Sequence, residues 1–160
     1  MTRRVIGILL LLIAAQAAYA DVLRGRVVRI ADGDTLTLLD ATKQQHRVRM
    51  TGIDAPENGQ AFGARSKTSL SALVFDKEVQ AECVKRDQYG RELCKILVGG
   101  TDVNLEQIRT GMAWWYKHYA REQSREDRAS YENAELQAKI RRLGLWADKN
   151  PVPPWDWRRK

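Results

Sequence analysis

The pattern of apolar and polar positions divides the chain into an apolar leader, three strand-like runs, a helix, two further strand-like runs and a helical remainder. Residues 22–30 are rich in Val and Ile, Ala31-Asp32-Gly33-Asp34 is a turn signal, and Thr35-Leu36-Thr37-Leu38 alternates with period two. A polar stretch over 40–45 turns the chain, and a third alternating run follows over 46–53. Pro56 lacks an amide hydrogen and ends strand pairing in the loop 54–59. Residues 60–75 predict a helix, with Leu70, Leu73 and Val74 at helical spacing. Residues 77–85 and 91–98 predict a fourth and a fifth strand, joined by a tight connection at Asp87-Gln88-Tyr89-Gly90. A short helix over 104–110 is stopped by Gly111, and the longest helix is predicted over 124–143. There Ser124 with Asp127 resembles a capping box, and Leu136, Ile140 and Leu143 fall at i, i+4 and i+7 as one buried stripe. Pro151, Pro153 and Pro154 argue against regular structure over 148–160 and predict an extended, Trp-bearing tail. Five strands, a helix between the third and fourth, and helices after the fifth describe an α+β domain over 21–147. Its arrangement is that of the OB-fold, a five-stranded Greek-key β-barrel with three covering helices.

The leader changes the picture of where the chain works. Arg3 and Arg4 precede an apolar run over 5–15, and Ala18-Tyr19-Ala20 supplies small residues for cleavage, so residues 1–20 read as a secretory signal peptide. An uncleaved membrane anchor is the other reading, but the run falls short of the roughly 18–20 apolar residues of a spanning helix. A secreted or periplasmic protein is expected, monomeric and without stable membrane association once the leader is gone. The 160 residues hold 27 Lys+Arg against 20 Asp+Glu, a formal +7, and without the two leader arginines +5. That charge suits an anionic partner, either nucleic acid or an anionic lipid surface. A hydrophobic share of 44% excludes a disordered chain, two Cys exclude a disulfide-dense miniprotein, and two His exclude a His-rich metal cage.

Cys83 and Cys94 lie on the fourth and fifth predicted strands, equidistant from a turn centred between Gln88 and Tyr89. A regular hairpin sets them face to face. A cross-strand disulfide, favoured by export, and a pair of buried thiols are both open readings.

Candidate chemistry collects in two bends. One holds Asp32 and Asp34, the other Asp54 and Glu57, and a meander of the first three strands brings both to one rim of the barrel. Taken alone, Asp32-Gly33-Asp34 is an ordinary hairpin turn, and Arg49 and Arg91 are ordinary surface charges. Together they form a kit: clustered carboxylates need a cation, a hard divalent ion accepts oxygen ligands, and guanidinium forks hold a phosphodiester. A remaining carboxylate can deprotonate an attacking water.

With these residues in order, the chain resembles the staphylococcal nuclease family. The resemblance rests on Asp32-Gly33-Asp34-Thr35, on Arg49 through Ile53-Asp54-Ala55-Pro56-Glu57, and on Asp87-Gln88-Tyr89-Gly90-Arg91. Val103-Asn104, Gly111-Met112-Ala113-Trp114-Trp115-Tyr116 and Gly144-Leu145-Trp146 support it, so it covers nearly all of 22–147. It implies an OB-fold barrel and Ca²⁺-dependent hydrolysis of DNA and RNA phosphodiesters, with little sugar specificity and 3′-phosphate products. By motif, Asp34, Asp54 and the main-chain oxygen of Ala55 would ligate Ca²⁺, and Asp32 would support that shell. Glu57 would be the general base, Arg49 and Arg91 would grip the phosphate, and Tyr89, Tyr119 and Lys85 would contact substrate. Ala55 stands where the best-known member has Thr, the segment after Glu57 is short, and Trp114 and Trp115 read as packing groups. The competing expectation is a noncatalytic OB-fold module that binds nucleic acid.

Overall fold

A computed structural model describes residues 21–159. The predicted signal peptide lies outside the described residues. The barrel consists of β1 (Asp21–Ile30), β2 (Thr35–Asp40), β3 (Gln45–Met50), β5 (Glu78–Arg86) and β6 (Glu92–Val98), with the two-residue β4 (Ile53–Asp54), which pairs outside it, and α1 (Gly63–Val74) between β3 and β5. β7 (Thr101–Asp102), α2 (Val103–Arg109), β8 (Trp114–Trp115), a 3₁₀ segment (Lys117–Glu122) and α3 (Arg125–Ile140) follow.

Strand order is β3-β2-β1-β5-β6-β7, and a parallel pairing of β3 with β6 closes the five long strands into a barrel. The expected OB-fold architecture is therefore the observed one. Alternation explains the closure: Leu36 and Leu38 of β2, Val79, Ala81 and Cys83 of β5, and Cys94 and Ile96 of β6 all point into one core. Leu70 and Val74 seat α1 against it.

Cys83 and Cys94 face each other across β5 and β6 and are joined by a disulfide. The connection is wider than the predicted two-residue turn. Asp87 N donates to Arg91 O at 2.9 Å and Gly90 N to Asp87 O at 3.0 Å, which moves the turn centre to Tyr89. A bulge at Val84 absorbs the extra residue and restores the cysteine register.

Two expectations are corrected. Leu136, Ile140 and Leu143 are exposed, whereas α3 buries Tyr131, Ala134, Glu135 and Ala138. Alanines let α3 lie close on α2, and the Tyr131 hydroxyl donates to Asp102 at 2.9 Å, so the larger residues turn outward. The segment over 148–159 is not extended throughout. It ends in a one-turn helix, α4 (Pro154–Trp157), since Pro154 at its first position needs no amide donor.

Candidate functional site

The site begins at the turn between β1 and β2. Asp32 Oδ1 accepts from Asp34 N at 3.0 Å, a side-chain-closed bend that Asp favours. Gly33 runs so close to α1 that a Cβ there would lie 1.8 Å from Ser66 Oγ, so no other residue fits without displacing the helix. Gln107 of α2, fully buried, donates to Gly33 O at 2.8 Å and to Ser66 O at 3.1 Å. The turn is thereby pinned to both helices before any charge is considered.

Asp34 then reaches the second bend directly. Ala55 N donates to Asp34 Oδ2 at 2.6 Å, and Met50 N donates to Asp34 O at 2.8 Å. The pairing of β4 with β8, Ile53 opposite Trp115 and Asp54 opposite Trp114, fixes Asp54 below the rim. Glu57 sits higher, in a loop closed by Gln60: Gln60 N donates to Glu57 O at 3.0 Å, and Glu57 N to Gln60 Oε1 at 2.9 Å.

Arg49 ties the two bends together. Its Nη2 donates to Asp54 Oδ1 at 2.9 Å and lies 3.2 Å from Asp34 Oδ2, while Nη1 donates to the carbonyls of Met50 and Ile53. Arg91 arrives from the β5–β6 hairpin. Asp87 orients it through Nε at 2.7 Å, and Tyr89 lies under its guanidinium at 5.5 Å. Lys85 pairs with Glu122 at 2.7 Å and lies over the ring of Tyr119 at 5.7 Å. The ten residues expected to bind metal, water or substrate (Asp32, Asp34, Arg49, Asp54, Ala55, Glu57, Lys85, Tyr89, Arg91 and Tyr119) all line one groove of about 800 Å³.

Burial is the largest influence on Asp34 in that groove. It pushes the Asp34 carboxyl up to about 7; Asp32 and Asp54 add to the rise, and Arg49 and the Ala55 amide oppose it. Arg49 therefore does not offset the burial of Asp34.

The model of the Staphylococcal nuclease homologue family matches residues 47–148. The chain belongs to this family. It is 42% identical over 165 residues to a protein of Shigella flexneri named "Micrococcal nuclease", with 98% of this chain and 91% of the relative covered. It is 43% identical over 135 residues to an "Uncharacterized endonuclease" of Haemophilus influenzae, covering 84% of this chain and 72% of that one. A third relative, "Protein ParB" of Escherichia coli, is 39% identical over 166 residues, with 98% of this chain and 90% of the relative covered.

For this member of the staphylococcal nuclease family, sequence reasoning missed two contributors. Gln107 has no motif around it, and its role exists only once α2 lies against the first acidic turn. Arg158 is the larger omission. Its Nη2 is 2.8 Å from Asp54 Oδ2, and its Nη1 is 3.2 Å from Asp54 Oδ1 and 2.5 Å from Glu57 Oε1. In the sequence it is one of three consecutive basic residues, and nothing local distinguishes it from its neighbours.

The donor set fits a hard cation in chemistry. Asp34 and Asp54 are buried carboxylates, burial raises the Asp34 carboxyl despite Arg49, and Ala55 adds a main-chain oxygen next to them. Among the described residues no three His, Cys, Asp or Glu side chains converge as a ready cluster. Guanidiniums stand between the acids instead: Arg49 between Asp34 and Asp54, Arg158 between Asp54 and Glu57.

Proposed function

We propose that this chain is an exported, Ca²⁺-dependent nuclease that hydrolyses phosphodiesters of DNA and RNA with little regard for the sugar and leaves 3′-phosphate ends. The observation that carries the reading is the sharing of the Arg49 guanidinium by two buried carboxylates, Asp34 and Asp54, on a groove that Glu57 and Arg91 also line. Export is supported by the pattern of residues 1–20 and by the Cys83–Cys94 disulfide.

Buried acids repel a phosphate unless a cation lies between them and it. Asp34, Asp54 and the Ala55 carbonyl would hold that ion, with Asp32 behind Asp34. Bound Ca²⁺ would supply positive charge to a phosphate oxygen. Glu57, at the solvent edge, accepts a proton from the attacking water. Arg91 is oriented by Asp87 and takes the charge that builds up on phosphorus-bound oxygen; Arg49 holds the acids in place and faces the same phosphate. Tyr89, Tyr119 and Lys85 flank the nucleotide path. Water oxygen bonds to phosphorus, the bond from phosphorus to the 5′ oxygen breaks, and the leaving oxygen takes a proton from solvent.

A noncatalytic binding module would use the cations of the same groove, such as Lys85 and Arg91, but gains nothing from Asp34, Asp54 and Glu57 beside a phosphate. A digest of single- and double-stranded DNA and RNA, with Ca²⁺ and with chelator, separates the two readings. Cleavage of all four with Ca²⁺, none with chelator, and 3′-phosphate ends are expected. Cleavage undiminished in chelator would remove the metal, and intact substrate in every tube would leave only binding.

A further inference from the structure

Residues 148–159 form a strap that is anchored at separate points and brings Arg158 to the wall of the groove. Gln60 Nε2 donates to Val152 O at 2.6 Å, which ties the strap to the loop that carries Glu57. Trp155 packs at 6.3 Å edge-on against Trp114 and at 5.4 Å against Tyr116, between centroids. Trp114 is itself the residue paired with Asp54 across the β4–β8 ladder. The single turn of α4 then turns the chain back, Arg158 N donating to Pro154 O at 3.0 Å, and delivers the Arg158 side chain onto the acids.

Arg158 meets both oxygens of Asp54 in a fork and also reaches Glu57. With Arg49 already on Asp54 Oδ1, the carboxylate has a guanidinium on each oxygen. These are the two acids that the proposed mechanism needs for metal and for water. Pairing with Asp54, then with Glu57, holds the Arg158 guanidinium above its ordinary value, so it stays a cation at any working pH.

We infer that Arg158 is a built-in occupant of the cation site: it neutralises Asp54 and Glu57 in the resting protein, and a divalent ion enters only by displacing it. The strap is thus an internal competitor, and the segment 148–159 sets the affinity of the site for Ca²⁺. This rests on the reading of Asp54 as a metal ligand. The physical logic is that of a site open only part of the time: the apparent dissociation constant rises by the inverse of the open fraction.

The test is Ca²⁺ titration by calorimetry, at fixed ionic strength and without nucleic acid, on wild type, Arg158→Ala, Arg159→Ala and Asp54→Asn. Removing the fork is expected to tighten Ca²⁺ binding about tenfold, as for a site that is closed roughly nine-tenths of the time. Arg159 touches Asp156 and not the site acids, so Arg159→Ala removes the same charge and is expected to change affinity less than about twofold. Equal affinity in wild type and Arg158→Ala, with binding lost in Asp54→Asn, overturns the competition and leaves the metal assignment standing. Equal tightening in the two arginine variants overturns it too, since net charge then accounts for the effect. Absence of heat in every variant removes the metal reading and this inference with it. Should Arg158→Ala fail to fold, Trp155→Ala releases the strap without altering charge, and the same tightening is expected; an unchanged constant there is the overturning result.

Discussion

Two carboxylates, Asp54 and Glu57, sit three residues apart in different chemical positions. Asp54 is sealed under the rim and doubly bridged by arginines, whereas Glu57 keeps about a third of its side chain exposed. A general base needs that access to water, and a ligand does not. Glu57→Gln is therefore expected to lower kcat by about 10²–10⁴-fold with the thermal midpoint unchanged, and Arg91→Ala by about 10²–10³-fold; near-normal turnover in either variant would remove that residue from the chemistry. At this scale the sequence was largely legible. Asp32 to Asp34 and Arg49 to Glu57 lie within short stretches, so type and spacing single them out, and the structure sets them on one groove. Arg158 was not, because its partners lie about a hundred positions earlier and only the fold of the strap introduces them.

Elements position these residues through turns and bulges as much as through regular pairing. The β5–β6 hairpin shows how: Asp87 accepts from Tyr89 N at 2.9 Å, from Arg91 N at 2.9 Å and from Arg91 Nε at 2.7 Å, which aims Arg91 at the groove. Burial alone raises the Asp87 carboxyl, but the Arg91 and Tyr89 donors outweigh it and hold the group below its ordinary 3.8. A carboxyl depressed in the folded state stabilises the fold above its unfolded value and loses that contribution as pH falls through the folded one. Asp87→Asn is thus expected to be less stable than wild type at pH 6, with the gap closing below 3.8; urea midpoints across that range check it, and a gap constant with pH would discard the charge as the cause. Strand existence was readable from alternation, and the facing of Cys83 and Cys94 from chain symmetry, although the true turn centre is Tyr89 and a bulge at Val84 corrects for it; the bond itself was one of two open readings. The buried face of α3 was unreadable for a different reason. Leu136, Ile140 and Leu143 outweigh Ala134 and Ala138 in any hydrophobic pattern, yet close helix packing selects the small residues.

On the scale of the whole molecule, buried amides couple the barrel to its helices and so to the site. Asn104 accepts from Ile96 N at 3.0 Å and donates to Thr51 O at 2.9 Å, and Gln107 bonds Gly33, Ser66 and Ser69 at once. Truncating Gln107 to Ala leaves buried carbonyls without donors, at a cost of about 2–4 kcal/mol in urea unfolding. A loss below about 0.5 kcal/mol would mean that Asp32 and Ala55 alone hold the acidic turn. No local pattern marks these amides, since their value depends on which backbone groups the packed helices strand. The closure of β3 onto β6 has a colloidal consequence. Each of the five long strands has a neighbour on both sides, so among the described residues no long row of open amides invites a strand from another copy. The native protein can then be concentrated without sheet extension between molecules, and that route to aggregates opens only after the barrel itself has come apart.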